Sequence, residues 1–335
     1  MDINPNIFFY FPHQSIASFR QIHELSEDQL WQKLIAHPVG TSGIAHWILQ
    51  TYYYLYKAGL PCELVDYVPA SGIIITHRDF LPVPVSNWRL VTSRTRTIVN
   101  MKVDRGFYHP ADFTVVHNPK ESRTSKRVIY VPPWPQIALK PRSGGGEAGL
   151  QSVGFIGNPR QLDPYFTTPA WTDFLKGLGL RWAIKPPYEW NDFSDIDLLV
   201  AVRQFAPIAN SSVKPPLKLF NAWQAGVPIA LSPESAYEAY RKTSLDYLEV
   251  RTPEEMQRII KTFLDDPRVY WSYVQQSRAN GERVGKDTVL SSWQDLIQKV
   301  VVPYHSAKSY KQIFTNQIKA VGVTGKYLLT NLIKR

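Results

Sequence analysis

The chain of 335 residues contains a single cysteine, Cys62. One thiol excludes a disulfide within the chain and a zinc site built on cysteines. No apolar run is long enough to span a bilayer, and the first five residues lack the charged and apolar regions of a signal peptide. We therefore expect a soluble, cytoplasmic protein in which Cys62 is a buried thiol.

The common catalytic fingerprints are also lacking. No glycine-rich dinucleotide motif follows a predicted strand, the run Gly144 to Gly146 included, and there is no P-loop. A Gly-x-Ser-x-Gly elbow and a His-Glu-x-x-His zinc motif are equally missing. These absences disfavour a dehydrogenase, a P-loop ATPase, an α/β-hydrolase and a zinc protease.

The balance of charge is strongly basic, with a formal net charge of +10 and an isoelectric point near 9.5. Such a balance indicates an anionic partner, which could be a nucleotide, a nucleic acid or an acidic membrane surface. After Asp295 there is no acidic residue, whereas lysines continue to the end of the chain. We expect this basic tail to be helical.

Short apolar runs alternate with helical and turn segments along the whole chain. This alternation predicts a parallel α/β sheet in each of two domains. The predicted strands are 7–11, 63–65, 72–75, 97–101 and 114–116 in the first domain, and 152–156, 180–184, 197–202 and 227–231 in the second. The proline-rich and glycine-rich segment 131–149 is predicted to be a linker.

We accordingly place an N-terminal Rossmann-like domain at 1–140, a C-terminal Rossmann-like domain at 141–300 and basic C-terminal helices at 301–335. The cleft between two such domains is the default ligand site, and the carboxyl ends of the strands are expected to face it.

The stretch 214–238 is the most informative part of the sequence. Prolines 215 and 216 suit the first turn of a helix, and Gly226 suits the left-handed position that ends one. Lys214 and Lys218 fall around the first turn, where the helix dipole favours anions over cations. Either both lysines are solvated, or a phosphate is held jointly by the helix N-terminus and an ammonium group.

The residues after this helix add further candidates. Ser232 and Pro233 are predicted to open another helix, with Ser232 as its N-cap, in a loop on the ligand side of the sheet that also carries Glu234. Glu238 completes Ser235-x-x-Glu238, so a capping box competes with ligand binding at that position.

Three other places in the second domain carry candidate residues. Arg203 ends the strand 197–202, where an arginine can make bidentate contacts to a diphosphate or a salt bridge at the surface. Gly157 and Asn158 form the loop after the strand 152–156. Asp195 and Asp197 have the Asp-x-Asp form of some metal-dependent transferases, but a structural role is favoured for them.

The first domain offers two candidate bases. His46 lies in the first turn of a predicted amphipathic helix, off its apolar face, where it could act as a base or bind a phosphate. Asp104 follows the strand 97–101 within the cluster 102–105. A carboxylate in this place could act as a base, or it could pair with Lys102 or Arg105.

The pattern of the second domain resembles GT-B fold glycosyltransferases, especially those of glycosyltransferase family 4. The resemblance rests on Asp195 to Val200, on Leu219 to Ile229 with its glycine-x-proline step, on Glu238, and on the helix 252–267. It covers roughly 152–267. A narrower resemblance, to a group of bacterial transferase-like proteins of unassigned substrate, rests on Trp134 to Gln136, Phe155 to Asn158 and Lys214 to Tyr237.

The resemblance implies a metal-independent hexosyltransferase without a cofactor. Its second domain would hold a UDP-sugar or GDP-sugar, and its first domain would hold a glycan, lipid or small-molecule acceptor. Lys218 would neutralise the diphosphate, and Glu238 would lie near ribose or sugar hydroxyls. The family carries two glutamates at a fixed spacing, and here Val213 and Asn221 stand in their places; Asn221 can still hydrogen-bond a ribose.

The resemblance also implies that the last helix returns to the first domain. Contact of the basic tail with an acidic membrane surface is the alternative, which would make the protein peripheral at the inner membrane face. Two other functions stay open, a nucleotide-sugar epimerase of the same fold and a nucleic-acid-binding protein. The second is disfavoured because the aromatic residues fall at core-like periods rather than within a basic patch.

Overall fold

The computed structural model describes residues 5–13, 16–37, 43–81, 93–143, 149–205 and 214–309, and also 312, 314–316, 318, 319, 321 and 322. Contacts divide the chain into two compact units. The first unit comprises Met1–Pro132 together with Val289–Arg335, and the second comprises Pro133–Thr288. No helix in the described ranges combines the length and the apolar character needed to cross a membrane.

The first unit is built on a six-stranded sheet whose neighbouring strands are all parallel, in the order β2-β1-β3-β4-β5-β6. Its strands are β1 (Ile7–Tyr10), β2 (Cys62–Val65), β3 (Gly72–His77), β4 (Arg96–Met101), β5 (Phe113–Val116) and β6 (Val128–Tyr130). Its helices include α1 (Glu27–Ile35) and α2 (Gly43–Lys57). The predicted strands are confirmed, and β6 was missed because it is a three-residue, half-buried edge strand without a strong apolar run.

The second unit is built on a five-stranded parallel sheet in the order β11-β10-β9-β7-β8. Its strands are β7 (Ser152–Ile156), β8 (Arg181–Lys185), β9 (Leu198–Ala201), β10 (Ile229–Leu231) and β11 (Leu248–Glu249). Its helices are α3 (Pro169–Gly177), α4 (Leu217–Ala225), α5 (Ser235–Glu238), α6 (Pro253–Asp265) and α7 (Pro267–Arg283), and α8 (Lys286–Asp295) leads back to the first unit.

The predicted fold class, two Rossmann-like α/β domains, is therefore confirmed. The inner strands of both sheets are continuous apolar runs, which is typical of parallel sheets covered on both faces. In the second unit β7, β9 and β10 are buried along their whole length.

The chain after α8 packs on the first sheet. A π-helical segment (Leu296–Val301) leads into α9 (Val302–Ser306). Asp112, a fully buried residue just before β5, accepts three hydrogen bonds from this part of the chain. The donors are Tyr304 Oη at 2.7 Å, Lys308 Nζ at 2.9 Å and Asn316 Nδ2 at 2.9 Å. The predicted return of the C-terminal chain to the first domain is thus confirmed, and one carboxylate fixes much of it.

The predicted linker 131–149 is wrong for its first part. Trp134 and Ile137 are only 3% and 0% exposed, and Arg142 N donates to Ala225 O at 3.0 Å. The segment 133–143 is thus an ordered part of the second unit. Proline favours extended backbone, which can be buried as readily as exposed when an aromatic residue anchors it.

The predicted ends of α4 are half right. Gly226 has φ +68 and ends the helix in the left-handed conformation, as expected. Pro216 occupies the N-cap position, so both prolines precede the helix instead of forming its first turn.

The predicted helix start at Ser232 and Pro233 is wrong. Helix α5 begins at Ser235 with Glu234 in the N-cap position, and Glu234 makes no side-chain capping bond. Ser232 Oγ instead accepts a hydrogen bond from Arg203 N at 2.9 Å, which joins the loops after β9 and β10. Ser235 and Glu238 both lie inside α5, so the predicted capping box does not form.

We expect Asp112→Asn to lower the free energy of unfolding by about 3 kcal/mol or more, because it leaves Lys308 buried without its carboxylate partner. Urea unfolding monitored by circular dichroism measures the change. The control Asp66→Asn removes a carboxylate that is 42% exposed and 3.8 Å from Arg20, so a change below about 1 kcal/mol is expected. Equal effects of the two substitutions would contradict the role given to Asp112.

Candidate functional site

The carboxyl ends of β7, β9 and β10 lie at one edge of the second sheet, because the three strands are adjacent and parallel. The loops that follow them contain Gly157, Arg203 and Ser232 within their first two residues. In open parallel sheets this edge is where ligands bind.

Lys218, the second residue of α4, reaches back to the end of β7. Its Nζ donates a hydrogen bond to Ile156 O at 2.7 Å and lies 4.0 Å from the centroid of the Phe155 ring. The pKa of Lys218 is lowered to about 7, chiefly by burial and also by the charge of nearby Arg203, while Glu234 acts in the opposite direction. The amino group of Lys218 is therefore not a solvated surface group, and among the described residues no carboxylate forms an ion pair with it.

Gly157 makes this position of Lys218 possible. Its φ is +142, a conformation that side chains rarely adopt. A Cβ atom on residue 157 would lie 2.5 Å from Lys218 Nζ and 3.2 Å from the Phe155 ring. The glycine thus leaves room for an ammonium group against the backbone at the end of β7.

Arg203 and Glu234 form a loose pair beside this lysine. Arg203 Nη1 lies 3.7 Å from Glu234 Oε2, and Glu234 is only 1% exposed. Within the described part of the chain, neither carboxylate oxygen of Glu234 has a hydrogen-bond partner, and Arg203 Nε has none either. Burial raises the pKa of Glu234, while Arg203, Lys214 and Lys218 lower it.

The structure therefore brings six of the predicted residues together in the second unit. They are Gly157, Arg203, Lys214, Lys218, Ser232 and Glu234. The basic residues Arg203, Lys214 and Lys218 thus gather near the N-terminal end of the nine-residue helix α4, where the helix dipole also favours an anion.

The other predicted residues of this unit make contacts within the fold. Asn221 Oδ1 accepts from Gln136 N at 2.9 Å, so it fastens the segment after Trp134. Asn158 Oδ1 accepts from Arg160 N at 3.0 Å and caps a short 3-10 turn. Glu238 is exposed at the end of α5. A ligand would have to compete for Asn221 and Asn158.

The Asp-x-Asp pair is tied into the fold, as the structural interpretation of it predicts. Asp197 accepts from Arg142 Nε at 2.7 Å and from Ser152 N at 2.9 Å. Asp195 lies 2.6 Å from Lys185 Nζ. Among the described residues, no group of three or more histidine, cysteine, aspartate or glutamate side chains is arranged to hold a metal ion.

Both candidate bases of the first unit are partly buried. The ring of His46 lies 6.1 Å from that of Trp31. The carboxylate of Asp104 lies 3.9 Å from Arg105 Nη1, so the pairing considered for it forms with Arg105. Lys102, the other partner considered, pairs instead with Glu121, and its Nζ lies 2.7 Å from Glu121 Oε1.

A buried polar cluster in the first unit was missed by the sequence interpretation. Besides the pair of Lys102 and Glu121 after β4 and β5, it contains His117, whose Nδ1 lies 2.8 Å from Val131 O. The His117 ring stacks on Trp47 with centroids 4.2 Å apart. Burial lowers the pKa of His117 to about 4, so the imidazole is neutral at pH 7. The available signal was a polar residue directly after β5.

Similarity to known proteins is found among solved structures. No family model and no curated protein matches the sequence. Among solved structures, Anabaena HepE in complex with UDP-glucose is similar at 11% identity and a TM-score of 0.50, covering 88% of this chain and 100% of that chain. A glycosyltransferase from Rickettsia africae is similar at 8% identity and a TM-score of 0.50, covering 89% and 99%. These likenesses support the GT-B class of fold.

We expect Gly157→Ala to destabilise the protein by about 1 to 3 kcal/mol, because it forces a side chain into a strained backbone conformation and displaces the Lys218 ammonium. Urea unfolding measures the change. In the control Gly177→Ala, the new Cβ meets nothing within 4 Å, and alanine suits the end of α3. A Gly157→Ala variant as stable as this control would contradict the packing described here.

Proposed function

We propose that this protein is a glycosyltransferase that moves a sugar from a UDP-sugar or GDP-sugar to an acceptor without a metal ion. The observation that carries the proposal is the site of Lys218, Arg203 and Lys214 at the carboxyl ends of parallel strands and the start of α4. Such a site suits a diphosphate better than a neutral or cationic ligand.

The structural neighbours support this choice of ligand. HepE was crystallised with UDP-glucose, and the Rickettsia africae protein is described as a glycosyltransferase. Both match nearly their entire length. A nucleotide-sugar donor is therefore the diphosphate that agrees with both the fold and the cations of this chain.

Catalysis would depend on where negative charge develops. Cleavage of the bond between the sugar and the diphosphate leaves that charge on the departing nucleotide. Lys218, Arg203 and the free N–H groups of α4 would stabilise it, and donors fixed in advance need no reorganisation during the step. Lys218 Nζ, held by Ile156 O and the Phe155 ring, would be close to a diphosphate bound at the start of α4.

The remaining donor contacts and the lack of a metal are also proposed. Glu238, Asn221 and Asn158 are candidates for hydroxyl groups of the ribose or the sugar. Asp195 and Asp197 already bind cationic side chains, so the three cations of the site take the place that a metal ion has in other transferases.

The acceptor, a glycan, a lipid or a small molecule, would bind the first unit. Asp104 and His46 are the proposed bases there. Neutral His117 can accept a hydrogen bond from a hydroxyl group once a ligand reaches it, which makes it a further candidate.

A membrane-bound acceptor would agree with the end of the chain. Phe314, Ile318 and Val321 are 63%, 58% and 72% exposed, and their spacing places them on one helix face. With the lysines of the tail, this face could touch an acidic lipid surface, so we propose peripheral contact at the cytoplasmic side.

We expect Lys218→Ala to weaken the binding of UDP or GDP about 10- to 100-fold, because a charge-assisted hydrogen bond to the diphosphate is lost. Calorimetry with both nucleotides and their sugars measures the change. The control Lys176→Ala removes an exposed lysine at the end of α3 and should leave binding unchanged.

Wild type that binds none of these ligands would refute the proposed function. Binding that survives Lys218→Ala unchanged would refute the site. Incubation with a UDP-sugar alone tests the epimerase alternative, since epimerisation gives a new nucleotide sugar without an acceptor.

A further inference from the structure

Glu234 is the unusual residue of this anion site, because it is a carboxylate. It is 1% exposed, and it forms only a loose ion pair with Arg203, at 3.7 Å, among the described residues. Both its oxygens lack a hydrogen-bond partner in the described ranges. A buried carboxylate in this condition is costly unless it does something that a neutral side chain could not.

The position of Glu234 matters for the charge of the site. Arg203, Lys214 and Lys218 all act on it, and they are the cations to which the proposed function assigns the diphosphate. The carboxylate of Glu234 offsets part of their positive charge. A diphosphate bound by the three cations would lie close to this carboxylate.

The possible ligands differ in charge at the same place. The diphosphate of a nucleotide sugar is esterified at both ends and carries two negative charges. A free nucleoside diphosphate ends in a phosphate monoester whose second pKa is about 6, so it carries three negative charges at pH 8. A carboxylate beside the diphosphate therefore repels the product more strongly than the donor.

We propose that Glu234 is a specificity-determining residue that makes the site prefer the diphosphate ester of a nucleotide sugar over the free nucleoside diphosphate. The inference rests on the proposed function. Repulsion between Glu234 and the extra charge of the terminal phosphate weakens the product more than the donor. Product inhibition is reduced as a result.

Two other roles for Glu234 would change ligand binding differently when the carboxylate is removed. If the carboxylate accepted hydrogen bonds from ligand hydroxyls, its loss would weaken every ligand that has those hydroxyls. If it served only the fold, its loss would change the binding of the donor-like and the product-like ligand equally.

Calorimetry at pH 8 separates these roles. The probes are UDP, GDP and the terminal methyl ester of each, which keeps the nucleotide and removes one negative charge. In Glu234→Gln we expect free UDP or GDP to bind about tenfold tighter and its methyl ester only about threefold tighter. The preference for the free diphosphate thus rises about threefold.

The control Glu282→Gln makes the same charge change at an exposed residue of α7. It lines a cavity with Trp223 and Gln224, at the end of α4 opposite Lys218. Both ligands of each pair should bind this variant as they bind wild type. Similar gains in the two variants would overturn the proposal.

Weaker binding to Glu234→Gln, or equal gains for the free nucleotide and its ester, would also overturn it. These outcomes require that wild type binds at least one pair. Wild type that binds none of the four probes refutes the proposed function, and this inference with it.

If Glu234→Gln does not fold, a second pair of variants tests the same proposal. Arg203→Gln and the double variant Arg203→Gln with Glu234→Gln differ only at residue 234, and the double variant contains neither member of the loose pair. The double variant should bind free UDP or GDP tighter than the single one, with a smaller gain for the methyl ester. Equal affinities would overturn the proposal.

Discussion

The site depends on the ammonium of Lys218 being held against the backbone at the end of β7. Its hydrogen bond to Ile156 O and the face of the Phe155 ring fix it there. The space requires a glycine at 157, and the burial lowers the pKa of the amine to about 7. An anion that approaches would provide the charge partner that the fold does not supply at close range.

Two other carboxylates, the fully buried Asp112 and the half-buried Asp197, show why this site differs. Asp112 accepts bonds from Tyr304, Lys308 and Asn316, and Asp197 accepts from Arg142 and Ser152. These carboxylates are bonded in the way that buried charges usually are. Glu234 is also buried but lacks such bonds within the described residues, and this difference is one reason for proposing a ligand at the ends of β9 and β10.

Much of the fold follows from local patterns. Buried parallel strands are continuous apolar runs, so their existence and order of appearance could be predicted, and Gly226 marked the end of α4 because few other residues adopt its conformation. The start of α5 could not be predicted, since Ser232 accepts a hydrogen bond from Arg203, a residue 29 positions away. Local propensity contains no information about that partner.

The candidate site shows the same division. Residues after strands could be placed at one edge, because parallel strands end together, and Lys218 and Arg203 are indeed neighbours there. The sequence indicated Glu234, the carboxylate beside them, only as part of a loop on the ligand side of the sheet. In the first unit Asp104 was preferred to Lys102, although Lys102 is the buried charged residue of that loop and pairs with Glu121. Burial of a single polar side chain depends on tertiary packing, which spacing alone does not fix.

A crystal structure with UDP or GDP bound would test the central claim most directly. We expect the diphosphate to lie at the carboxyl ends of β7, β9 and β10, with its oxygens within hydrogen-bond distance of Lys218 Nζ and the Arg203 guanidinium. Lys218 Nζ would then have turned from Ile156 O toward the phosphate. A nucleotide bound elsewhere on the chain, with Lys218 still bonded to Ile156 O, would contradict it.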